Sequence, residues 1–489
     1  MKGWSWRSML PPTSPSGSFC AATSGSPGQR LKQRSSGWST ECWVGVRRNV
    51  HPKVQPERIR NMSRYLFAIW DGGGAVAPEL GVARRLIENG HQVRVLADPT
   101  LRAQVATVGA TFSPWVRAPH RTSNDPSGDV VKDWEVRTPF EGLRRMRDRL
   151  IGGPAELVAS ETAEQIGDYS PDALMADYFM LGAMIAAQGA GLPVAAVMPN
   201  IWALPVRGVP PIAAGFPLAQ GVPGRVRDAM LIALVNRVFA KGLPALNQVR
   251  DRHGLRPLRS FYDQVLGVDR IFVLSSSTFD YASPFVPANV SYAGPVLDEP
   301  QWAVPWVPPW SEDDARPLIL VGLSSTFQNQ GDLLQRIIDA LSTMPVRAVV
   351  TTGPMIDPDA LTANSNVSVV RAVPHGPIME KAALVVTHCG HGTALKALAA
   401  GVPMVCLPMG RDQDDTAARI VHHGAGVRLA PNASAEKIRR AVAEVLERDS
   451  YRLAAAQLSS SITAELASSR LVEELGSLAS KPNQPRQRS

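Results

Sequence analysis

The residues with the densest chemistry lie between Val385 and Leu429, in VVTHCGHGTALKALAAGVPMVCLPMGRDQDDTAARIVHHGAGVRL. His388, Gly390, His391, Gly392 and Thr393 make a glycine-rich turn, and Asp412 and Gln413 occupy a polar loop further on. Glycines let the backbone approach a ligand closely, and a helix that starts at the turn aims its free N–H groups and positive dipole end at that ligand. A phosphate suits such a place. The elements that must position these groups follow from the hydropathy pattern: a buried strand at 384–386, a helix at 393–400, a strand at 404–407, and a second helix opened by the polar loop. This strand-loop-helix-strand-loop-helix unit puts both loops on one edge of a parallel sheet.

With 489 residues and 45% hydrophobic content the chain can bury a full core, and its length favours two or three domains. The formal charge of +8 is not spread over the fold. Residues 1–61 carry ten Lys/Arg against Glu41 and Glu57, which accounts for all of it, so no nucleic-acid partner is expected. Cys20, Cys42, Cys389 and Cys406 show neither disulfide density nor metal-ligand spacing, which points to a reducing, cytoplasmic compartment. Cys389 reads as a small residue beside glycines, not as a nucleophile. No charge occurs from 178 to 206, a span-length run, but Gly189, Gly191, Pro193 and Pro199 break it into a helix and a buried strand.

Residues 1–61 lack any helical or strand period and read as a disordered basic extension; either Met62 is the true start or the Arg/Ser-rich leader is a transit peptide. Residues 62–298 open in Rossmann-like fashion with a strand at 65–70, a turn at Asp71–Gly74, a helix at 76–89 carrying Val76, Leu80, Ala83 and Leu86 on one face, and a strand at 93–96. Strands at 173–175, 194–198, 271–277 and 290–296 complete this first α/β domain. The turn lacks GxGxxG spacing, so a nicotinamide-dependent enzyme is weakly supported. Residues 299–316, rich in proline and carrying Trp302, Trp306 and Trp310, form an extended linker. A second α/β domain at 317–455 has strands at 317–323, 347–351 and 367–370 before the opening stretch. A C-terminal helix at 456–478 is expected to pack back on the first domain, ahead of a solvated tail at 479–489. Two such halves imply a ligand cleft between them.

The stretch from Thr387 to Leu429, with support from WDGGGAVAPELGVARRL, YAGPV and AVPHGPI, resembles the nucleotide-sugar signature of the UDP-glycosyltransferase family, especially its bacterial macrolide and antibiotic members. The resemblance spans most of 62–478. It implies the two-domain GT-B fold and an inverting transfer from a UDP- or dTDP-sugar (a hexose or deoxyhexose), with no metal and no cofactor beyond that co-substrate. His388 matches the histidine that binds the donor diphosphate, and Gly390, Gly392 and Thr393 continue the cradle. His391 covers the nucleotide at most. Asp412 and Gln413 match the pair that holds the sugar hydroxyls; the alternative is a helix cap with Asp412 solvated. Ser324, Ser325 and Thr326 fall where the family contacts the diphosphate, and Arg371 and His375 complete the donor-side candidates. His422 and His423 read as a helix C-terminal feature.

Three positions depart from the family pattern. Ala372 stands where an aromatic ring stacks on the base, so stacking either passes to the Arg371 guanidinium or is weakened. Lys396 stands where an acid meets the ribose. Ala75 stands where the family's catalytic histidine belongs, although the aspartate that orients that histidine is present as Asp177. Three groups are therefore candidates for the base that deprotonates the acceptor: Asp177, in an apolar run that raises its pKa; His120, entering from the loop at 113–138; and Asp71. Asp177 can equally be a strand-end residue capping a helix. The acceptor expected is a hydrophobic natural product or lipid, lined by the Pro/Gly-rich 199–224 and the amphipathic 226–240, which could also touch a membrane surface. The competing function is a catalytically impaired nucleotide-sugar-binding relative, or an activator of another transferase.

Overall fold

Long apolar runs that alternate with amphipathic helices can only be buried as parallel strands covered on both faces. The computed structural model, which describes residues 62–481 except 124, 299–306, 312 and 325, contains two such sheets within the compact unit Ile59–Ser489. Expectations for residues 1–61, Ser325, Trp302, Trp306 and most of the tail lie outside the described residues.

The first sheet contains β1 (Arg64–Ala68), β2 (Gln92–Ala97), β3 (Thr111–Pro114), β4 (Ala173–Asp177), β5 (Val194–Met198), β6 (Arg270–Val273) and β7 (Val290–Tyr292), ordered 3-2-1-4-5-6-7. The second contains β8 (Leu318–Gly322), β9 (Arg347–Thr351), β10 (Val367–Val370), β11 (Leu384–Thr387), β12 (Met404–Cys406) and β13 (Gly426–Arg428), ordered 10-9-8-11-12-13. Every pairing is parallel, and β4 and β5 are buried at all positions. In each sheet the order reverses once, between β1 and β4 and between β8 and β11. Chain leaving the carboxyl ends of those four strands opens a crevice, the usual ligand position in such sheets. Ala68 pairs with Ala176 beside Asp177, and Gly322 pairs with Thr387 beside His388.

The uncharged run at 178–206 is helix Leu181–Gly189 plus β5, almost wholly buried. Where one C-terminal helix is expected, the chain forms two. Helix Asp449–Ala467 buries Ala455, Leu458 and Ile462 in the second domain. The chain then breaks where Ser469 Oγ donates to the Ala293 carbonyl. Helix Leu471–Ala479 buries Leu471, Leu475 and Leu478 against β1 and helix Val76–Glu88 of the first domain, and Tyr65 donates to the Leu475 carbonyl at 3.1 Å. Trp310 of the linker donates to the Ser365 carbonyl at 3.0 Å, so it packs on the second domain.

Buried polar contacts fix the halves against each other. Arg419 and Asp280 form an ion pair at 2.7 Å with both side chains at most 3% exposed, and Asp415 accepts from the backbone N–H groups of Ala213 and Gly215. His423 approaches the Phe279 carbonyl at 3.0 Å, so the histidines at this helix end serve the domain contact as well.

Candidate functional site

The crevice is a cleft of about 1630 Å³ lined from both domains. Its second-domain wall begins at β11. Cys389 adopts φ +66° and carries the chain into helix His391–Ala399, whose N-cap is Gly390. A Cβ at Gly390 would lie 2.6 Å from Nε2 of His388, so a larger residue there would displace the imidazole. Burial holds His388 down at about 4, helped by the Arg411 guanidinium, so the ring is neutral at pH 7; among the described residues its Nδ1 has no partner of full hydrogen-bond geometry. The neutral ring, the helix N-terminus and Thr393 line one wall together, as an anion cradle requires. Cys389 is fully buried, which pushes its thiol well up; it is inert packing.

The neighbouring turns complete that wall. Ser324 Oγ and Thr326 Oγ1 lie 3.0 Å apart, and Gln330 donates to the Ser324 carbonyl. His375 meets Thr351 Oγ1 at 3.2 Å. Arg371 and Lys396 both line the cleft, and Arg371 faces Asp357 at 3.7 Å. Asp412 sits at the N-cap of helix Gln413–His422 but makes no capping bond; its carboxylate accepts from Asn200 of the first domain at 3.3 Å. Gln413 accepts from the Met409 N–H at 2.8 Å and donates to Gln328 at 2.9 Å, so it is held in place within its own domain. His391 lines the cleft, yet its Nε2 is 3.3 Å from the Leu274 carbonyl, which makes it a contact between domains first.

The first-domain wall carries the candidate bases. Asp177 ends β4, lines the cleft and is 1% exposed. Its Oδ1 accepts from the Phe179 N–H at 2.7 Å, while Oδ2 has no partner of full hydrogen-bond geometry among the described residues. Burial raises it to about 6, offset in part by Glu79, by the Phe179 N–H and by Trp70. Glu79, also 1% exposed, is pushed well above the carboxylate range by burial and by Asp177. Burial thus pushes both carboxyls up, Glu79 further than Asp177.

Asp71 also lines the cleft, but Thr100 donates to it at 2.7 Å, Gly73 at 3.3 Å, and Arg121 stands 3.6 Å away, so its oxygens are committed. His120 does not join the cleft. Glu161 clamps the N–H groups of Val116, Arg117 and Ala118, and the His120 ring turns back to within 2.7 Å of the Ala118 carbonyl. Its loop does reach across further on: Asp133 pairs with Arg411, which also donates to Thr326 at 3.0 Å, and Trp134 meets Phe327 edge-on at 5.6 Å.

Glu79 and Arg411 were not among the residues singled out from sequence. Glu79 carried one usable signal, its position one helical turn after Ala75; Arg411 carried another, a cation abutting Asp412.

Residues 335–478 match the family described as erythromycin biosynthesis protein CIII-like, C-terminal domain. The chain is 30% identical over 405 residues to 4'-demethylrebeccamycin synthase of Lentzea aerocolonigenes, covering 81% of this chain and 94% of that one. It belongs to the macrolide- and antibiotic-type glycosyltransferases. This glycosyltransferase is also 29% identical over 308 residues to a PGL/p-HBAD biosynthesis rhamnosyltransferase of Mycobacterium bovis (strain BCG / Pasteur 1173P2), across 60% of this chain and 64% of that one. The solved kitacinnamycin glycotransferase superposes with a TM-score of 0.68 at 21% identity, covering 85% of this chain and 99% of that one, which gives the glycosyltransferase its GT-B fold.

Proposed function

We propose that this glycosyltransferase moves a hexose or deoxyhexose from a UDP- or dTDP-sugar to a hydroxyl of an apolar small-molecule or lipid acceptor, with inversion and without a metal ion. One observation carries the reading: a single cleft has the buried carboxylate of Asp177 on one wall and the neutral His388 turn with its helix N-terminus on the other.

Asp177 takes the proton of the acceptor hydroxyl as that oxygen bonds to the anomeric carbon. The bond from that carbon to the diphosphate oxygen breaks on the opposite face, which inverts the centre. The departing charge is met by the N–H groups of helix His391–Ala399, by His388 and Thr393, and by Arg411, groups that supply the positive potential a cation would otherwise bring. Asp412 and Gln413 orient the sugar hydroxyls, and Arg371 lies flat against the base in the place of the missing aromatic ring. Val235, Phe239, Phe261, Tyr262 and Val265 line the first-domain end of the cleft, which suits an apolar acceptor. The compartment on this reading is the cytoplasm, in keeping with the free thiols of Cys389 and Cys406.

The test is a panel of UDP- and dTDP-sugars with an apolar acceptor library, in the presence of a chelator, with the anomeric configuration of the product read by NMR. Inverted product and nucleoside diphosphate release are expected. Donor binding without turnover across the panel, retained configuration, or loss of activity to the chelator would overturn the corresponding part.

A further inference from the structure

Helix Gly221–Ala240 has two faces of different character. The inner face buries Val235 and Phe239; Phe239 packs at 5.4 Å against the rings of both Phe261 and Tyr262. The outer face is apolar and open. Val222, Val226, Met230 and Leu234, at every fourth position, are 63%, 51%, 68% and 39% exposed, and Ala229 and Ala233 between them are exposed too. Exposed Arg225, Arg237 and Lys241 rim this stripe. The only acid of the helix, Asp228, is buried and paired with Arg227 at 2.7 Å.

We propose that this face docks the protein on an anionic lipid bilayer. A contiguous apolar stripe left in water is unfavourable, and an apolar helix face flanked by cations is the arrangement that lies in the headgroup layer, with side chains such as Met230 among the acyl chains and arginines at the phosphates. Charge decides the occupant. The exposed charges of this helix and its C-cap are all cationic, so a second copy set on it by a two-fold axis would bring these like charges together, whereas anionic headgroups neutralise them. No single helix among the described residues is long and apolar enough to cross a membrane; Gly221–Ala240 and Leu243–Arg252 pass that test only together, bent by 50°, and because Val235, Phe239, Leu246 and Val249 are buried in the first-domain core the contact proposed is peripheral. Because Val235 and Phe239 line the cleft from the opposite side of the same helix, an acceptor dissolved in the bilayer reaches the apolar end of the cleft with little exposure to water; this consequence alone rests on the acceptor reading above.

The experiment is co-flotation of the full chain, with neither donor nor acceptor present, on vesicles of phosphatidylcholine with and without phosphatidylglycerol. Each surface cation contributes roughly a fivefold gain in partition, so Arg225→Gln, Arg237→Gln and Lys241→Gln together should lose roughly a hundredfold on the anionic vesicles. Val226→Glu with Met230→Glu should abolish flotation, while far-UV circular dichroism and thermal unfolding, unaffected at exposed sites, confirm the fold. Wild-type protein that stays with neither vesicle, or variants that float like wild type, would overturn the proposal. So would a concentration-dependent dimer, seen by sedimentation velocity and lost in Met230→Glu, because a second copy would then cover the face.

Discussion

Glu79 stands one helical turn after Ala75, and its carboxyl shares a buried space with that of Asp177, each residue being 1% exposed. The histidine that family resemblance calls for at position 75 is absent, and the aspartate it would have contacted faces a second acid. Burial in this apolar surrounding raises the Asp177 carboxyl. Glu79 offsets part of the rise that burial imposes on Asp177 and so favours its anion, the form the proposed base requires.

Asp177→Asn should lower kcat/KM by roughly 10²–10⁴-fold, the usual worth of a positioned base. In the wild-type enzyme kcat/KM should rise with pH through about 6 as Asp177 loses its proton. Glu79→Gln keeps a donor and should leave that limb near its place. Glu79→Leu removes the donor and should move the limb upward. A pH profile unchanged by Glu79→Leu would show that Glu79 does not act through Asp177.

The same pair makes a stability prediction. A carboxyl raised from 3.8 to about 6 on folding favours the folded state below 3.8, and this contribution is lost as pH rises through 6. Asp177→Asn removes the cost of the buried charge, so at pH 8 the variant should resist urea better than wild type, by on the order of 1–3 kcal/mol. Near pH 4 the two should be nearly equal. Equal midpoints at both pH values would mean that the carboxylate is not desolvated as described.

The strands were legible wherever burial on both faces leaves a long apolar run, as in Val194–Met198 and Leu318–Gly322. The edge strands Thr111–Pro114 and Gly426–Arg428 were not, because each holds a single large apolar residue, Phe112 or Val427, whereas the equally short Val367–Val370 holds three valines. Asp177 was legible as a charge ending an apolar strand. Glu79 was not, since an acid in a helix's first turn already has a reason to be there and its partner comes from a distant strand. Gly390 was expected to let the backbone approach a ligand; the structure adds a second constraint, the His388 ring lying 2.6 Å from where its Cβ would be, which no local sequence signal shows. Asp133 lay in an irregular loop, and nothing local shows that such a loop reaches Arg411 across the cleft.

Arg411 is shared between Asp133 and the anion cradle. A nucleoside diphosphate must compete with Asp133 for the guanidinium. Arg411→Ala should weaken UDP or dTDP binding by roughly 10–100-fold, the worth of a hydrogen bond to a charged group. Asp133→Asn should strengthen it by releasing the guanidinium. Titration calorimetry decides, and weaker binding in Asp133→Asn would mean that the ion pair organises the site instead of competing with the ligand.

The two glycines of the turn should behave oppositely. Gly390→Ala drives a methyl to within 2.6 Å of the His388 ring and should cost most of the diphosphate affinity. At Gly392 a Cβ meets nothing within 4 Å, and the position is helical, so Gly392→Ala should raise thermal stability by up to about 1 kcal/mol. Equal loss of affinity in both variants would show that backbone approach, not the seated ring, sets the requirement.

His388 links donor binding to protons. Burial lowers it from 6.5 to about 4, so folding is favoured by the neutral ring, and this contribution is lost as pH falls from 6.5 toward 4. A diphosphate placed beside the ring favours the imidazolium and raises that value. Binding of UDP or dTDP between pH 5 and 6.5 should therefore take up a proton, read by calorimetry in buffers of different ionisation enthalpy, and take up almost none at pH 8. His388→Asn should bind more weakly and abolish the buffer dependence. Proton uptake that persists in His388→Asn would assign it to another group and remove His388 from the cradle.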